Sequence, residues 1–557
     1  MNRKQVKEVI EKLSPTIESI TDTQVNSILK TLLNLIEALV TDNDNLRAEN
    51  QQLRDEISKL KGEQGKPDVR KQSQGSQNFS SENERNGKKK KKNEKRKRNK
   101  KKNKIHIDRV EELDIKGSLL PSDAQFKGYH DVVIQDIIIK TDNVKFRKAV
   151  YYSPSLRKTF IAELPDGYQG EFGPGVKTLT LSLYHKSKMT ESAVVDFFHD
   201  HNISIGAATV SGFLIKGHEV FHQEKNDIVS AGLASTIYQQ MDDTSARVNG
   251  QNNYVHILCN ELYTAYFTRE RKDRLTILEI LAQGDLQFIL NETAFTIMQS
   301  MKLPTKILQA LRENPIDHKM NRAEINGILS TLFPNPDRHH TNRRIILEST
   351  AIAAYRKLPH AVQLLLTDDA PQYNQITPHH PLCWVHEGRH YKKLAPVVPE
   401  HIAALTSFRN QFWNFYDKLL DYKKTPTAAF AYSIANEFDT LFAMKTGYDQ
   451  LDHRIEKSKS NKDQLLVVLQ HPITPIHNNG SELGARDQAR RRDINLHTIS
   501  KAGTESKDTF MTLIQTAKKQ TVNFYYYVRD RVENKFEMPS LANLIIEKSK
   551  KIIFDPS

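Results

Sequence analysis

Three acidic residues occupy positions where folding can bring distant side chains together. Asp242 lies in the strand-like segment IYQQMDDTSARV, Asp368 follows the apolar segment AVQLLLT, and Glu482 lies in HNNGSELGARDQARRR. A buried strand often delivers an acid to the edge of an α/β sheet, and Asn479 or Ser481 can cap a helix that has Glu482 in its first turn. Acids that converge in this way would bind two Mg²⁺ or Mn²⁺ ions, and without metal their mutual repulsion would raise at least one pKa. The expected chemistry is phosphodiester cleavage and transfer.

Two of these acids are followed by a second aspartate, Asp243 and Asp369. Successive residues of a strand point to opposite faces, so only one member of each doublet can be a metal ligand. The sequence leaves open which one it is.

The segments around the acids predict the elements that position them. Residues 237–248, 254–260 and 263–268 predict three consecutive antiparallel strands, and PLCWVHEGRHYKKL predicts a short strand that runs into a helix. Helical periodicity in residues 276–355 and 399–458 predicts two helical insertions between the acids. An aromatic group in the second insertion predicts core or subunit packing, with base stacking as the alternative: Phe408, Phe412, Trp413, Phe415 and Tyr416.

Positive charge is concentrated in one tract. Residues 88–104 carry a net charge of +12 out of +14 for the chain, which leaves about +2 for the other 540 residues. So dense a tract should be extended, and its natural partner is the phosphate backbone of nucleic acid. A solvated linker and a nuclear-import signal are the alternatives. The predicted DNA contacts are Lys88, Lys89, Lys90, Lys95, Arg96, Arg98, His386, Arg389, Arg490 and Arg491.

A heptad repeat precedes the tract. Leucines recur every seven residues in residues 29–60, and the intervening apolar positions include two asparagines that favour an in-register parallel pair. Three g-to-e′ pairs of opposite charge agree with a homodimer; a helix packed on its own domain is the alternative, and a larger assembly is also open. The predicted dimer contacts are Leu32, Leu39, Asn43, Leu46, Asn50, Leu53 and Leu60.

Residues between the tract and the first acid predict two modules. VVIQDIIIK, AVYYS, KTFIAEL and KTLTLSLYH predict a small β-rich module. Residues 190–215 predict a helix-turn-helix whose second helix, beginning near Ser204, presents Ala207, Thr209 and Ser211; an ordinary helical hairpin is the alternative.

Composition excludes several classes of protein. Two cysteines exclude a disulfide framework and a four-cysteine zinc site, and no zinc is expected. No apolar segment approaches the roughly 18 residues that span a bilayer, so a cytoplasmic protein that associates with the nucleoid is expected, without a membrane partner.

Taken together, the segments QQMDDTSARV, LLLTDDAPQY, LCWVHEGRHYKKL, HPITPIHNNGSELGARDQARRRD and DTFMTLIQTAKK resemble bacterial insertion-sequence transposases of the IS-sixty-six group. The resemblance implies an RNase-H-like fold with a DDE triad at Asp242, Asp368 and Glu482. It also implies a double-stranded DNA substrate, formed by the terminal inverted repeats and the target. The chain departs from the family's pattern at His477, at the second residue of each aspartate doublet, and in having no cysteine-rich zinc segment.

The expected fold is a multidomain α/β protein, with a parallel coiled coil, a β-rich module and a helix-turn-helix before an RNase-H-like mixed sheet with helical insertions. A non-catalytic dimeric DNA-binding regulator and a metal-dependent nuclease or resolvase are the alternative functions.

The expected divisions are a helix and zipper (1–62), a linker with the basic tract (63–104), a β-rich module (105–185), a helix-turn-helix (186–232), the first part of the core (233–394), a helical insertion (395–465), the second part of the core (466–525) and a helical tail (526–557).

Overall fold

The computed structural model describes residues 3–18, 22–60, 106–115, 124–168 and 170–554. The basic tract and its predicted DNA contacts, Lys88 to Arg98, therefore lie outside the described residues. In the described part, no helix has the length and apolar content that crossing a bilayer requires.

Two helices, α1 (Arg3–Glu18) and α2 (Thr23–Leu60), form the N-terminal hairpin. An ion pair joins them, with Arg3 Nη1 3.0 Å from Asp44 Oδ2. The predicted long helix is present in α2, and its heptad leucines point away from the chain: Leu32, Leu39, Leu46 and Leu53 are 48%, 68%, 57% and 52% exposed.

The neighbouring face of α2 packs on the chain's own helical insertion. Leu33, Ile36 and Val40 contact Val397 and Val398, which are buried. Ile36 is one of the apolar heptad positions on which the dimer prediction was based, but it packs within the chain. On this face of α2 the structure therefore matches the alternative, a helix packed on its own domain.

Glu37 anchors this contact. Its side chain is 1% exposed, and its Oε1 accepts hydrogen bonds from Val397 N at 2.7 Å and Val398 N at 2.8 Å. His401 Nδ1 lies 3.4 Å away. Burial alone raises the pKa of Glu37, but the His401 imidazole and the two N–H groups lower it more, so the pKa lies below its ordinary value.

The β-rich module is largely absent from the described residues. One hairpin, β1 (Val150–Ser153) with β2 (Lys158–Ile161), is formed, and residues 132–140 have no regular structure. The segment KTLTLSLYH is wrong as a strand: it lies in α3 (Pro174–Leu181) and the π-helical turn Ser182–Lys186. Proline at the first helical position favours helix, and burial of Thr178 and Leu181 on one side completes the helical pattern.

Two short helices follow, α4 (Glu191–Asp200) and α5 (Ala207–Ile215), and then the longer α6 (Glu219–Ser235). Thr190 caps α4, and Asn202 takes a left-handed conformation in the turn. The predicted helix pair is present, although its second helix begins at Ala207 rather than near Ser204. Its DNA-reading role stays a prediction.

Three antiparallel strands, β3 (Tyr238–Val248), β4 (Gln251–Cys259) and β5 (Thr264–Arg269), form most of the central sheet. Asn249 and Gly250, both at positive φ, make the two-residue turn between the first two strands, as a type I′ hairpin requires. The prediction of three consecutive antiparallel strands with an acid on the first is confirmed.

The first helical insertion separates these strands from the fourth. It consists of α7 (Arg274–Ala282), β6 (Phe288–Ile289), α8 (Glu292–Ser300), α9 (Thr305–Arg312), β7 (Lys319–Met320), α10 (Arg322–Leu332) and α11 (His340–Arg356). Strand β8 (Leu364–Leu366) then pairs in parallel with β3, which gives the sheet order β5-β4-β3-β8. Residues 379–383 extend this edge through single bridges, and Cys383 N donates to Thr367 O at 3.0 Å.

The second insertion is helical as predicted. It consists of α12 (Trp384–Lys393), α13 (Pro399–Lys424), α14 (Ala428–Leu441), α15 (Asp449–Ser460), α16 (Lys462–Leu465) and α17 (Val467–Gln470). Its aromatic group packs around buried Trp384, whose indole N–H donates to Leu465 O at 2.9 Å. Phe408, Phe412, Phe415 and Tyr416 are at most 1% exposed, as core packing predicts.

Four helices complete the chain: α18 (Asn479–Asn495), α19 (Lys501–Lys519), α20 (Phe524–Val532) and α21 (Leu541–Phe554). Side chains of α19 spaced four residues apart accept hydrogen bonds from the edge strand β5. Asp508 Oδ2 accepts from Thr268 N at 2.6 Å, and Thr512 Oγ1 accepts from Tyr266 N at 3.1 Å. The helix therefore satisfies N–H groups that an open sheet edge would expose.

Candidate active site

Strand β3 points Asp242 and Asp243 in different directions. Gln240, on the same face as Asp242, accepts a hydrogen bond from Gly480 N of α18 at 3.0 Å. Asp243 faces other partners: its Oδ1 lies 3.6 Å from Lys272 Nζ, and its Oδ2 accepts from Gln372 Nε2 at 3.2 Å. The geometry therefore favours Asp242 as the member of the first doublet that shares a site with α18.

Asp368 follows β8 at the edge next to β3. Its Oδ1 accepts a hydrogen bond from Ala370 N at 3.2 Å. Burial raises the pKa of Asp368, the Ala370 N–H lowers it, and the charges of Asp243 and Asp369 raise it, with a net increase. Asp369 is paired instead with Lys457, whose Nζ lies 3.4 Å from its Oδ2.

Glu482 lies in the first turn of α18 and is 8% exposed. Asn478 fixes the start of this helix: its Nδ2 donates to Met241 O of β3 at 2.8 Å, and its N donates to Cys383 Sγ at 3.1 Å. Gly484 lets the helix lie flat on the sheet, since a Cβ there would come 2.8 Å from Ile257 Cγ2. The helix thus brings Glu482 over the strand that carries Asp242.

The three acids form one electrostatic unit. The pKa of Asp242 is raised to about 7, first by burial and then by the charge of Asp368; the Asp243 N–H lowers it, and the charges of Glu482 and Asp243 raise it by smaller amounts. A carboxylate gains a raised pKa from like charges only when they are close. Asp242 on β3 therefore lies within range of the charges of Asp368, at the end of β8, and of Glu482 on α18.

Residues of α12 hold Glu482. Arg389 Nη2 donates to Glu482 Oε2 at 2.7 Å, and Arg389 Nη1 lies 2.8 Å from His386 Nε2, while His386 Nδ1 lies 3.5 Å from Glu482 Oε1. Burial and the positive charges of Arg389, His390 and Lys393 lower the pKa of His386 to about 3, so the imidazole is neutral. A neutral ring that accepts from Arg389 carries its proton on Nδ1, facing Glu482.

The donor atoms fit a metal that prefers oxygen ligands. Glu482 Oε1 is buried and has no hydrogen-bond partner, and the raised pKa of Asp242 marks negative charge that lacks compensation. A divalent cation would supply both the missing partner and the missing charge.

A second group of potential ligands overlaps the first. Cys383, His386 and Glu482 offer ligand atoms that all lie within 4.8 Å of one another, and such sulfur and nitrogen donors suit zinc. Burial, with the nearby Glu482 charge, raises the pKa of the Cys383 thiol to about 12. The thiol is therefore protonated at neutral pH, and its sulfur already accepts from Asn478 N.

The predicted DNA contacts within the described residues fall in two places. His386 and Arg389 lie at the acidic site, where both face Glu482. Arg490 is exposed on α18, whereas Arg491 is 3% exposed and donates to Tyr184 O at 3.2 Å and His185 O at 3.1 Å. Arg491 thus joins α18 to the π-helical turn, a contact that the expectation of a surface arginine missed.

Two further side chains of the site were not predicted. Gln240 positions α18, and Lys272 adds a positive charge beside Asp243 that also lowers the pKa of Asp368. Gln240 could have been found from the sequence, because it lies two residues before Asp242 and therefore on the same face of the strand. Lys272 lies in a loop after β5, where no periodic pattern indicates direction.

Comparison with known proteins gives a limited result. No family model matches the chain. It is 28% identical over 312 residues to the uncharacterized protein y4jO of Sinorhizobium fredii, an alignment that covers 55% of this chain and 94% of that protein.

Proposed function

We propose that this chain is a metal-dependent DNA strand-cleaving and strand-transferring enzyme, a transposase of an insertion element. The observation that carries the proposal is the electrostatic coupling of Asp242 to Asp368 and Glu482: the pKa of Asp242 is raised to about 7 by burial and by its acidic neighbours. Perturbed acids gathered at a sheet edge are typical of active sites.

The sheet supports an RNase-H-like core. Three antiparallel strands are followed by a fourth that pairs in parallel with the first, and residues 379–383 add a rudimentary fifth. The first acid lies on the first strand, the second at the end of the fourth, and the third on a helix that packs on the sheet. This is the arrangement that the resemblance to DDE transposases implies.

Each side chain of the site has a distinct task in the proposed reaction. Asp242, Asp368 and Glu482 would hold two Mg²⁺ or Mn²⁺ ions, which would supply activation of a water or a 3′-hydroxyl and charge stabilisation of the leaving oxygen. Arg389 orients Glu482 through its hydrogen bond to Oε2, and His386 packs beside the other oxygen. Lys272 partly balances the acidic charge from the side of Asp243.

The substrate in this proposal is double-stranded DNA, first the ends of the element and then the target. The basic tract supplies contacts to the phosphate backbone without sequence preference, and the helix pair α4–α5 can read a groove.

We further propose a homodimer through the exposed leucines of α2. Replacing Leu39 and Leu46 by Glu should reduce the mass measured by sedimentation to that of one chain, whereas Leu33→Ala should not.

Cleavage of duplexes that carry the sequences flanking the coding region, with Mg²⁺ or Mn²⁺, tests the activity. We expect Asp242→Asn, Asp368→Asn and Glu482→Gln each to lower the rate on the order of 1000-fold or more, since acids that act as a unit fail together. Asp243→Asn and Asp369→Asn are matched controls, because they remove the same charge from the neighbouring residues and should stay within about tenfold of wild type. Equal rates for the triad variants and wild type would reject the assignment.

Two other outcomes identify the alternative functions. Specific binding of the flanking DNA without cleavage under any metal condition would indicate a dimeric regulator, which the helix pair and the leucine face would serve equally well. Cleavage without joining of the 3′ end to a second DNA would indicate a nuclease or resolvase.

A further inference from the structure

A cleft lies at the other end of α18, beyond the turns that carry Glu482. It lies between the end of β3, the C-terminal half of α18 and the middle of α19, is open to solvent, and has a cavity volume of about 20 Å³. Four of its lining side chains are cationic at neutral pH, Arg247, Arg491, Arg492 and Lys507, and none of its lining residues is acidic.

Two acids whose charges act on Arg491 and Lys507 already have other partners. Asp508 accepts from Thr268 N at 2.6 Å and from Thr268 Oγ1 at 2.8 Å, and it lies 4.0 Å from Lys507 Nζ. Asp487 lies 2.5 Å from Lys188 Nζ. Positive charge in the cleft therefore exceeds the negative charge available to it from the protein.

Two of the cations are withdrawn from water in spite of this excess. Arg491 is 3% and Lys507 7% exposed. Burial lowers the pKa of Lys507, the charge of Asp508 raises it, and the charge of Arg491 lowers it. Asp508 balances part of the charge of Lys507, and Arg491 adds a like charge beside it.

Polar atoms without partners face the same space. Gln488, which is 3% exposed, has a buried Oε1 with no hydrogen-bond partner, and both amide atoms of Asn495 are also buried and unpaired. Amide groups can turn to present N–H donors to an anion. Buried polar groups without partners are uncommon, so two in one cationic cleft indicate a bound ligand.

We infer that this cleft is an anion site for one phosphodiester group of DNA bound across the sheet, contacted by Arg247, Lys507 and the amides of Gln488 and Asn495. The inference rests on the proposed function and adds to it a second place where the protein contacts the bound DNA. Along α18, Arg491 and Asn495 lie about 14 and 20 Å from Glu482 at 1.5 Å per residue. With roughly 3.4 Å per base pair, the held phosphate lies about four to six base pairs from the cleavage position.

Thermal unfolding of the full chain in inorganic phosphate, compared with chloride at equal ionic strength, tests the site without requiring activity. Phosphate should raise the unfolding midpoint of wild type, because a ligand that binds the folded state stabilises it. Lys507→Met and the double variant Arg247→Gln/Lys507→Met should fold and lose this rise. Lys306→Met/Lys319→Gln removes the same charge from exposed positions elsewhere and should keep it.

Binding of a 30-base-pair duplex over a range of salt concentrations distinguishes DNA from free phosphate. The double variant should bind several-fold more weakly at about 0.1 M salt, and its salt dependence should fall by about one phosphate contact, while the control pair changes neither. An equal phosphate-induced rise in all variants would overturn the site. Loss of that rise with unchanged DNA binding would overturn the DNA assignment in favour of a free phosphate or nucleotide. Neither result depends on whether the triad cleaves.

Discussion

Asp242 and Glu37 are two carboxylates withdrawn from bulk water, and their surroundings are opposite. Glu37 accepts two backbone N–H groups and faces His401, and its pKa is lowered. Asp242 accepts the N–H of Asp243 and otherwise faces further acids, and its pKa is raised to about 7. The first acid holds two parts of the chain together, whereas the second stores unfavourable charge at a place where a cation would relieve it.

This difference separates an acid whose charge the fold compensates from one whose charge it leaves uncompensated. Burial acts on both side chains in the same direction, so burial alone does not distinguish them. What distinguishes the two carboxylates is whether hydrogen-bond donors or other acids lie next to them. Comparable reasoning separates Asp369, paired with Lys457, from Asp368, which meets other acids.

The largest expected effect comes from removing the anchoring acid. Glu37→Ala should weaken the docking of the N-terminal hairpin by about 3 kcal/mol, because it leaves the N–H groups of Val397 and Val398 buried without an acceptor. Hydrogen–deuterium exchange of residues 3–18 and 23–44 measures this free energy of opening. Glu49→Ala, an exposed acid on the same helix, should change it by less than about 0.5 kcal/mol. Equal protection in Glu37→Ala and wild type would show that the hairpin does not dock through this residue.

The opposite sign is expected at the acidic site. Asp242→Asn should raise the free energy of unfolding by about 2 kcal/mol at neutral or slightly alkaline pH with chelator present, because it removes a charge whose pKa the fold raises. Urea denaturation measures the change. Glu49→Gln, which removes an exposed acid of α2, is the control and should change this free energy by less than about 0.5 kcal/mol. A lower denaturation midpoint for Asp242→Asn would contradict the electrostatic description.

A smaller effect should follow from pH alone. The lowered pKa of Glu37 means that its contribution is fully present above its ordinary value of 4.5 and is lost as pH falls through the lower folded value. Pepsin should therefore cleave the hairpin faster as pH drops from about 5 to about 3, and Glu37→Gln should show a flatter dependence over that range. Parallel curves for the two proteins would assign the acid response to other groups.

The sequence predicted the positions of the triad because local patterns specify them. An Asn-Gly turn fixes the register of β3 and β4, and the apolar run before Asp368 has the length and composition of a buried strand. A helix with Glu482 in its first turn was predicted and is present, but its cap residue is Asn478, which also ties the helix to the sheet, rather than Asn479 or Ser481. Each of these signals involves neighbours in the chain.

Other features depended on partners far away in the chain. Residues 132–140 have the composition of a strand but pair with none in the described structure, and KTLTLSLYH is a helix because Pro174 starts one and its apolar side packs inward. The contact between Glu37 and Val398 joins residues more than 350 positions apart. The heptad pattern describes one face of α2 and does not indicate that the neighbouring face is occupied.

Helix α2 packs on the chain along one face and leaves its heptad leucines exposed on another, and this arrangement has a geometric consequence. Its docked face is fixed to the start of α13, while from Leu46 to Ile57 the helix continues for about 17 Å with its apolar stripe at least half exposed. Two copies joined along that stretch would be separated by a rigid spacer rather than by a flexible tether. The distance between two simultaneous cuts in DNA would then be set by the length of a helix, and inserting or deleting a heptad there would change it by about 10 Å.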